Sequence, residues 1–265
     1  MTRNLRLCVF GALVILYVPL LVVILMSFNE SPYGTFPFSF TLKWYDSLLG
    51  SNDLLLASWR SVWLSLVVGT LAAIIGTMLA IWRVATSSNL GVATDGLLVA
   101  TVAVPWLILG IAMLQIFNLL GIGRGTVPSI AGNTVVVLPY VVFVVVARLR
   151  GLDENLVDAA RSLGATPIKA FYRISLPLAL PAIIGGALLA FVICFNNFTI
   201  QYFLLPLGVR TLPLEIYSQV RTGYSPAINA LATVILGTTV VLAVILERLG
   251  AGSRQIRAKG NSWRS

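Results

Sequence analysis

Long stretches without Asp, Glu, Lys or Arg divide the chain into apolar segments joined by polar connections. Six of them reach the length of about 18 residues or more that a helix needs to cross a hydrocarbon core. They lack the polar–apolar alternation of barrel strands, and only helices or closed barrels satisfy the backbone in lipid. We therefore predict an all-α polytopic membrane protein, one transmembrane domain over residues 1–265. The predicted spans are 7–29, 61–82, 96–118, 127–147, 178–205 and 226–247.

Composition argues against a catalytic or metal-binding role. The chain is 58% hydrophobic and 10% charged, whereas soluble domains carry about 25% charged residues. Histidine, the commonest general base and metal ligand, is absent. Cys8 and Cys194 both lie in apolar segments and are interpreted as small buried hydrophobes. We predict no catalytic residue, no metal and no cofactor, and a membrane enzyme is improbable because no nucleophile and base are clustered.

The basic residues predict an orientation in the membrane. The net charge is +9, but these residues are scattered beside the apolar spans rather than gathered into a stripe for nucleic acid. Six spans put both termini on one side. Placing them in the cytoplasm leaves outside only five of the 18 Lys and Arg residues: Lys43, Arg60, Arg124, Arg210 and Arg221. The positive-inside rule therefore predicts cytoplasmic termini.

Two segments predicted to lie on the outer side of the membrane have sequence patterns of their own. Residues 31–49 are rich in aromatic side chains, which suit an interfacial belt, a dock for an external partner, or both. The stretch from Pro206 to Pro226 predicts a short interfacial or re-entrant helix around Thr211 to Val220.

The inner loop at 148–177 predicts two helices joined by a glycine turn. Asp153 suits the N-cap of the first helix. Gly164 falls where a helix ends in a left-handed residue, and Thr166 followed by Pro167 suits the start of the next helix. One apolar stripe at helical spacing is formed by Leu152, Leu156, Ala159, Ala160 and Leu163.

This loop resembles the cytoplasmic EAA loop of permease subunits of type I ABC importers. The matching residues are Asp158, Ala159, Ala160, Gly164, Ile174, Leu176 and Pro177. The resemblance implies that the first helix is a coupling helix seated in a cleft of a cytoplasmic ATPase subunit, with Asp in place of the usual Glu. The implied coupling residues are Asp158, Ala159, Ala160, Leu163, Gly164 and Ala165.

Nearly the whole chain is similar to the spermidine/putrescine (C-type) permease family, notably at SFNESPYGTFPFSFTLKWYDSLL and TLPLEIYSQVRTGYSPAINALAT. That resemblance implies a multi-pass subunit of an ATP-driven importer in a bacterial cytoplasmic (inner) membrane. Its implied partners are an ABC ATPase dimer, a second homologous permease subunit and a periplasmic or extracellular substrate-binding protein. The chain has no G-x-x-x-x-G-K-[ST] phosphate loop, so a partner must hydrolyse the ATP.

A polar run in the fifth span supplies the candidates for the solute route. Polar side chains at membrane depth generally face the bundle interior or a water-filled cavity. Hydrogen bonding between helices is an equally good interpretation of them. The candidates are Asn196, Asn197, Thr199 and Gln201, with the aromatic Phe195 and Tyr202. Weaker candidates with the same two interpretations are Gln115, Asn118 and Asn229.

The sequence is compatible with more than one class of solute. Polyamine permeases of this subgroup typically carry two consecutive acidic residues where this chain has Asn196 and Asn197. None of the nine acidic residues lies in the interior of a predicted span, and only Glu247 comes near, at the inner end of the sixth. Either the partner permease supplies the carboxylates, or the solute is less cationic, such as an opine or an amino-acid conjugate. An ion-coupled secondary carrier is the alternative of another class, although such carriers often hold ionisable residues at midmembrane.

Overall fold

The computed structural model describes residues 3–31, 37–86, 88–222 and 227–237. Helices account for almost all of this part, which confirms the all-α prediction. The helices are α1 Arg3–Met26, α2 Lys43–Gly50, α3 Asn52–Ala85, α4 Asn89–Ala103, α5 Trp106–Leu119, α6 Thr126–Arg150, α7 Glu154–Ser162, α8 Pro167–Ala170, a π-helical turn Phe171–Ser175, α9 Leu176–Phe195, α10 Phe198–Leu204, α11 Leu212–Thr222 and α12 Ala227–Gly237.

Four described helices are long and apolar enough to cross a membrane: α1, α3, α6 and the helix Phe171–Phe195, which contains α9. The pair α4 and α5 passes the same test when taken together, so the described residues hold up to five of the six predicted spans. The helix α12 falls within the sixth predicted span, 226–247, whose remaining residues lie outside the described part.

The predicted third span, 96–118, is not one straight helix. The helices α4 and α5 are bent by 108° at the break between them. Val104 is extended, with ψ of 130°, and Pro105 follows at the N-cap of α5. Proline lacks an N–H group and disfavours the helical conformation in the residue before it, so the chain turns here.

The predicted fifth span, 178–205, is also interrupted. The helix α9 ends at Phe195 and α10 begins at Phe198, leaving Asn196 and Asn197 as a break. The Asn197 side chain accepts a hydrogen bond from the Ile200 N–H at 3.0 Å. An asparagine that bonds the backbone three residues ahead competes with continuous helix and favours a new N-cap, which accounts for the difference.

The described residues fall into two compact units, one over Leu56–Glu215 and one from the two ends of the chain. In the first unit α6 packs against α9, and Val137 and Val141 of α6 are fully buried. A Cβ atom on Gly76 of α3 would lie 2.8 Å from a Val141 methyl, and one on Gly186 of α9 would lie 3.2 Å from it. Small residues thus let three helices approach closely.

In the second unit, aromatic side chains tie α2 to the residues that follow α1. The Trp44 indole N–H donates to the Asn29 carbonyl at 2.8 Å. The hydroxyls of Ser27 and Tyr45 are 2.8 Å apart, and the rings of Phe28 and Tyr45 are 5.3 Å apart. The rings of Trp44 and Tyr45 therefore pack on the residues that follow α1.

Candidate functional site

The loop that resembles an EAA loop forms a small helix–turn–helix unit, called the knob here and comprising α7, the Gly164 turn and α8. The Asp153 carboxylate accepts a hydrogen bond from the Asn155 N–H at 3.0 Å and caps α7 as the sequence predicts. At the other end of the turn, Thr166 Oγ1 accepts from the Lys169 N–H at 3.3 Å, at the start of α8. The helix–glycine–helix prediction is therefore confirmed.

Gly164 gives the turn its shape. Its φ is +84°, in the left-handed region that glycine adopts without strain. The Gly164 N–H bonds the Arg161 carbonyl at 2.9 Å, and the Ala165 N–H bonds the Ala160 carbonyl at 3.0 Å. These two bonds form a Schellman motif, which satisfies carbonyls at the end of α7 and fixes the direction of the exit.

The outer side of the knob combines small residues with exposed apolar ones. Asp158, Ala159 and Gly164 are exposed, whereas Ala160 and Ala165 are half-buried. Leu163 is 90% exposed, next to the glycine turn. A leucine held so far into solvent beside a small-residue surface is available for contact with another protein.

Behind the knob lies a cavity of about 250 Å³. Apolar side chains from the last turns of α3 and α6 line it, together with Val157 of α7. Leu152 and Asp153, which precede α7, and Phe171 and Ser175, at the two ends of the π-helical turn, complete the lining. The knob is therefore not close-packed on the ends of these helices, in contrast to the dense interior usual for proteins.

An ion pair that the sequence analysis missed holds the connection between α3 and α4. Arg83 donates from Nε and Nη2 to the two carboxylate oxygens of Asp95 at 2.8 and 2.7 Å. Its third contact is from Nη1 to the Thr86 carbonyl at 3.0 Å. This two-pronged geometry orients the short connection more firmly than a single contact. The twelve-residue separation gave no helical-spacing signal by which to find it.

The break between α9 and α10 collects the second group of candidate residues. Asn197 and Gln201 are both fully buried. Gln201 Nε2 donates to the Cys194 carbonyl at 2.6 Å, which spans the break, and Gln201 Oε1 accepts a short hydrogen bond from Thr211 Oγ1. Farther along, the Leu212 N–H donates to Ser61 Oγ at 2.7 Å. Both groups of the Gln201 amide thus have partners, whereas Asn197 Oδ1 accepts from the Ile200 N–H and the buried Asn197 Nδ2 has no hydrogen-bond partner in the described part of the chain.

The remaining candidates lie on a more open side of the break. Asn196 is exposed and donates from Nδ2 to the Val192 carbonyl at 2.9 Å. Tyr202 is 45% exposed and stacks on Phe198 with ring centroids 5.3 Å apart, while Phe195 and Thr199 are half-buried. The polar run therefore divides into a buried pair and an accessible group. Of the weaker candidates, Gln115 and Asn118 are exposed and Asn229 is buried.

The buried hydroxyls of Ser61 and Thr211 and the buried amide of Asn133 were not predicted from the sequence. Ser61 and Thr211 lie at the edges of apolar segments, where a hydroxyl residue carries no pattern of its own. Asn133 of α6 is fully buried and donates from Nδ2 to the Ser129 carbonyl at 2.8 Å. The sequence did carry a signal for Asn133, because it is an amide residue within the fourth apolar span.

Comparison with known proteins identifies the family. The model of the family described as binding-protein-dependent transport system inner membrane component matches residues 72–249. The chain is 32% identical over 234 residues to the spermidine/putrescine transport system permease protein PotC of Haemophilus influenzae, covering 88% of this chain and 90% of that protein. It is 35% identical over 253 residues to the putrescine transport system permease protein PotI of Escherichia coli K12, covering 92% and 89%.

Solved structures share the fold at lower identity. A bacterial ABC transporter involved in the import of the acidic polysaccharide alginate matches with a TM-score of 0.67 at 16% identity, covering 92% of this chain and 91% of that one. The inward-facing MetNI methionine ABC transporter matches with a TM-score of 0.56 at 23% identity, covering 78% and 98%. The cargoes in these two titles differ in chemistry, so the shared fold does not identify a solute.

Proposed function

We propose that this chain, which belongs to the family of binding-protein-dependent transport system inner membrane components, carries a polyamine through the membrane as one permease subunit of an ATP-driven importer. The observation that carries the proposal is its 32–35% identity, over about nine-tenths of its length, with permeases named for spermidine and putrescine. The chain supplies part of a path and no catalytic group.

The knob is the proposed attachment to the motor. In this proposal the exposed Asp158, Ala159 and Gly164, with the half-buried Ala160 and Ala165, contact a cytoplasmic ABC ATPase dimer, and Leu163 adds an apolar contact. Small residues let a helix sit closely in a groove. The other proposed partners are a second homologous permease and a substrate-binding protein on the outer side. Both termini then lie in the cytoplasm, in agreement with the basic residues.

The route is proposed to pass the break, along Asn196, Thr199, Phe195 and Tyr202. The buried Asn197 and Gln201 belong to the same polar run and form the second layer of the route's wall, behind the accessible residues. A polyamine crossing this region needs carboxylates, because an unpaired charge in a low-dielectric passage is costly. Two of the described carboxylates already have partners: Glu215 pairs with Arg210 at 3.1 Å, and Asp95 pairs with Arg83. The second permease is therefore the proposed source of the negative charges.

One observation favours a second candidate solute. Asn196 and Asn197 are neutral where polyamine permeases of this kind typically carry two acidic residues. A less cationic amine, such as an opine or an amino-acid conjugate, would cross such a site without a carboxylate from this chain. An ion-coupled carrier remains the alternative of another class.

Uptake by the purified complex separates these proposals. The tagged chain is isolated with its co-purifying subunits and placed in proteoliposomes with the binding protein. ATP-dependent uptake of labelled putrescine or spermidine is the expected result. Uptake of an opine such as octopine in place of both polyamines would support the second solute. Uptake driven by an ion gradient without ATP would contradict the importer.

A further inference from the structure

Two buried residues beside the break, Thr211 and Ser61, continue the hydrogen-bond network of Gln201 and have no assigned role in transport. From Gln201, hydrogen bonds continue to Thr211 Oγ1, and the next backbone N–H, that of Leu212, bonds Ser61 Oγ on α3. Gln201, Thr211 and Ser61 are at most 1% exposed. These three side chains and their bonds, called the clamp here, tie α10 to the start of α11 and to α3.

The helix α10 needs such support. It has seven residues, well below the length of about 12–15 at which an isolated helix becomes even marginally stable. On one side Ile200 and Leu204 pack against Val136 of α6. The Leu204 carbonyl accepts from the Gly125 N–H at 2.8 Å. Apolar packing is not directional, so it does not by itself fix the rotation of α10 about its axis.

The clamp fixes the rotation of α10 about its axis. The Gln201 amide is held at both of its ends, by the Cys194 carbonyl and by Thr211 Oγ1. An amide with both groups bonded in a buried setting is costly to turn, because turning it leaves polar atoms unsatisfied. With Gln201 fixed on the buried side, the accessible side of α10 presents Thr199 and Tyr202.

We propose that Thr211 and Ser61 are positioning residues for transport: acting through Gln201, they hold α10 in the rotation that turns Thr199 and Tyr202 toward the solute. This inference rests on the proposed function, which places those two residues on the route. We expect neither Thr211 nor Ser61 to touch the solute.

The test compares Thr211→Val with Thr211→Ser in the assembled importer. Valine keeps the shape of threonine and removes the donor, whereas serine restores the hydroxyl. We expect Thr211→Val to raise the KM for putrescine uptake by roughly 3- to 10-fold, the effect of one buried hydrogen bond. We expect Thr211→Ser to stay near wild type. Ser61→Ala should shift KM in the same direction. The matched control is Thr70→Val, since Thr70 is exposed and bonds only its own helix through Leu66.

A second readout needs no solute. In a Cys8→Ser background, a cysteine introduced by Tyr202→Cys, an exposed position of α10, is labelled with a membrane-impermeant maleimide, and the labelling rate is compared with and without Thr211→Val. A changed rate that Thr211→Ser restores supports the clamp, even if the wild-type importer moves no polyamine and the proposed function fails. A labelling rate and KM in Thr211→Val equal to those in Thr70→Val overturn the proposal. If Thr211→Val does not assemble, the same comparison with Ser61→Ala decides.

Discussion

The knob and the break are the two candidate regions of this chain, and they are built in opposite ways. The bonds that shape the knob join residues two to five positions apart, as from Asp153 to Asn155 and from Ala160 to Ala165. The bonds that shape the break reach ten positions from Gln201 to Thr211 and 151 positions from Ser61 to Leu212. The knob is largely exposed, whereas the break combines buried and exposed side chains. Local chemistry therefore shapes the region proposed to contact a motor, and tertiary contacts hold the region proposed for the solute.

The largest expected effect is at the glycine of the knob. Gly164→Val places a β-branched residue at φ of +84°, which costs about 1–2 kcal/mol or more in backbone strain and opposes the Schellman turn. No atom lies within 4 Å of the added Cβ, so strain rather than crowding is tested. We expect ATP-driven uptake to fall about tenfold or more while the subunit still inserts in the membrane.

The matched control for this change is Gly121→Val. Gly121 has φ of +72° and also has no atom within 4 Å of an added Cβ, but it lies far along the chain from the knob. A second control, Gly164→Asn, uses a residue that tolerates the left-handed conformation. Wild-type uptake in Gly164→Val would refute the coupling assignment. Equal losses in both valine variants would attribute the effect to general strain.

The next effect is at the buried amide of the break. Gln201→Leu removes the partner of Thr211 Oγ1 and one of the donors to the Cys194 carbonyl. Each buried polar group left unsatisfied costs about 1–3 kcal/mol. We expect the melting temperature of the purified complex to fall by several degrees and uptake to fall roughly 3- to 10-fold.

Gln115→Leu is the control, because Gln115 is an exposed glutamine in an apolar helix. The same chemical change there should leave the melting temperature close to wild type. Equal melting curves for the two variants would show that the buried amide contributes nothing to the break. Wild-type uptake in Gln201→Leu would remove Gln201 from the transport region.

A smaller effect separates the two neighbouring asparagines. Asn196 is exposed, so Asn196→Asp adds a hydrated carboxylate beside the proposed route at little cost in stability. Asn197 is fully buried, so Asn197→Asp buries a charge, and desolvation opposes it. For a cationic solute we expect Asn196→Asp to lower KM about threefold, through attraction in a partly screened setting. We expect Asn197→Asp mainly to lower the melting temperature.

Both measurements use putrescine uptake and thermal melting of the complex. An unchanged KM in Asn196→Asp would argue against a polycation passing this side of the break. Identical melting temperatures for the two aspartate variants would contradict the difference in burial between the two positions.

The contrast between local and long-range bonds also explains why the sequence predicts the knob better than the break. Asp153, Gly164, Thr166 and Pro167 carry strong local preferences, so the caps and the turn of the knob were predictable. The interruption at Asn197 was not predicted, because an asparagine within a long apolar run does not signal whether its side chain will cap a new helix. Partners such as Ser61 and Thr211 become recognisable only after the helices are packed.

The smallest expected effect returns to the knob, at the cap of α7. Asp153→Ala removes the acceptor for the Asn155 N–H, and loss of an N-cap costs about 0.5–2 kcal/mol. The nine-residue α7 is then frayed at its start, while the Gly164 turn at its other end stays intact. We expect stimulation of the partner ATPase by binding protein and solute to fall roughly 2- to 5-fold, since a frayed helix transmits movement less completely. Asp153→Ser keeps a good N-cap and should stay near wild type, which separates loss of the cap from loss of the charge. If Asp153→Ser fell as far as Asp153→Ala, the carboxylate itself would be the functional group, and the knob would depend on charge at this position and not only on its local geometry.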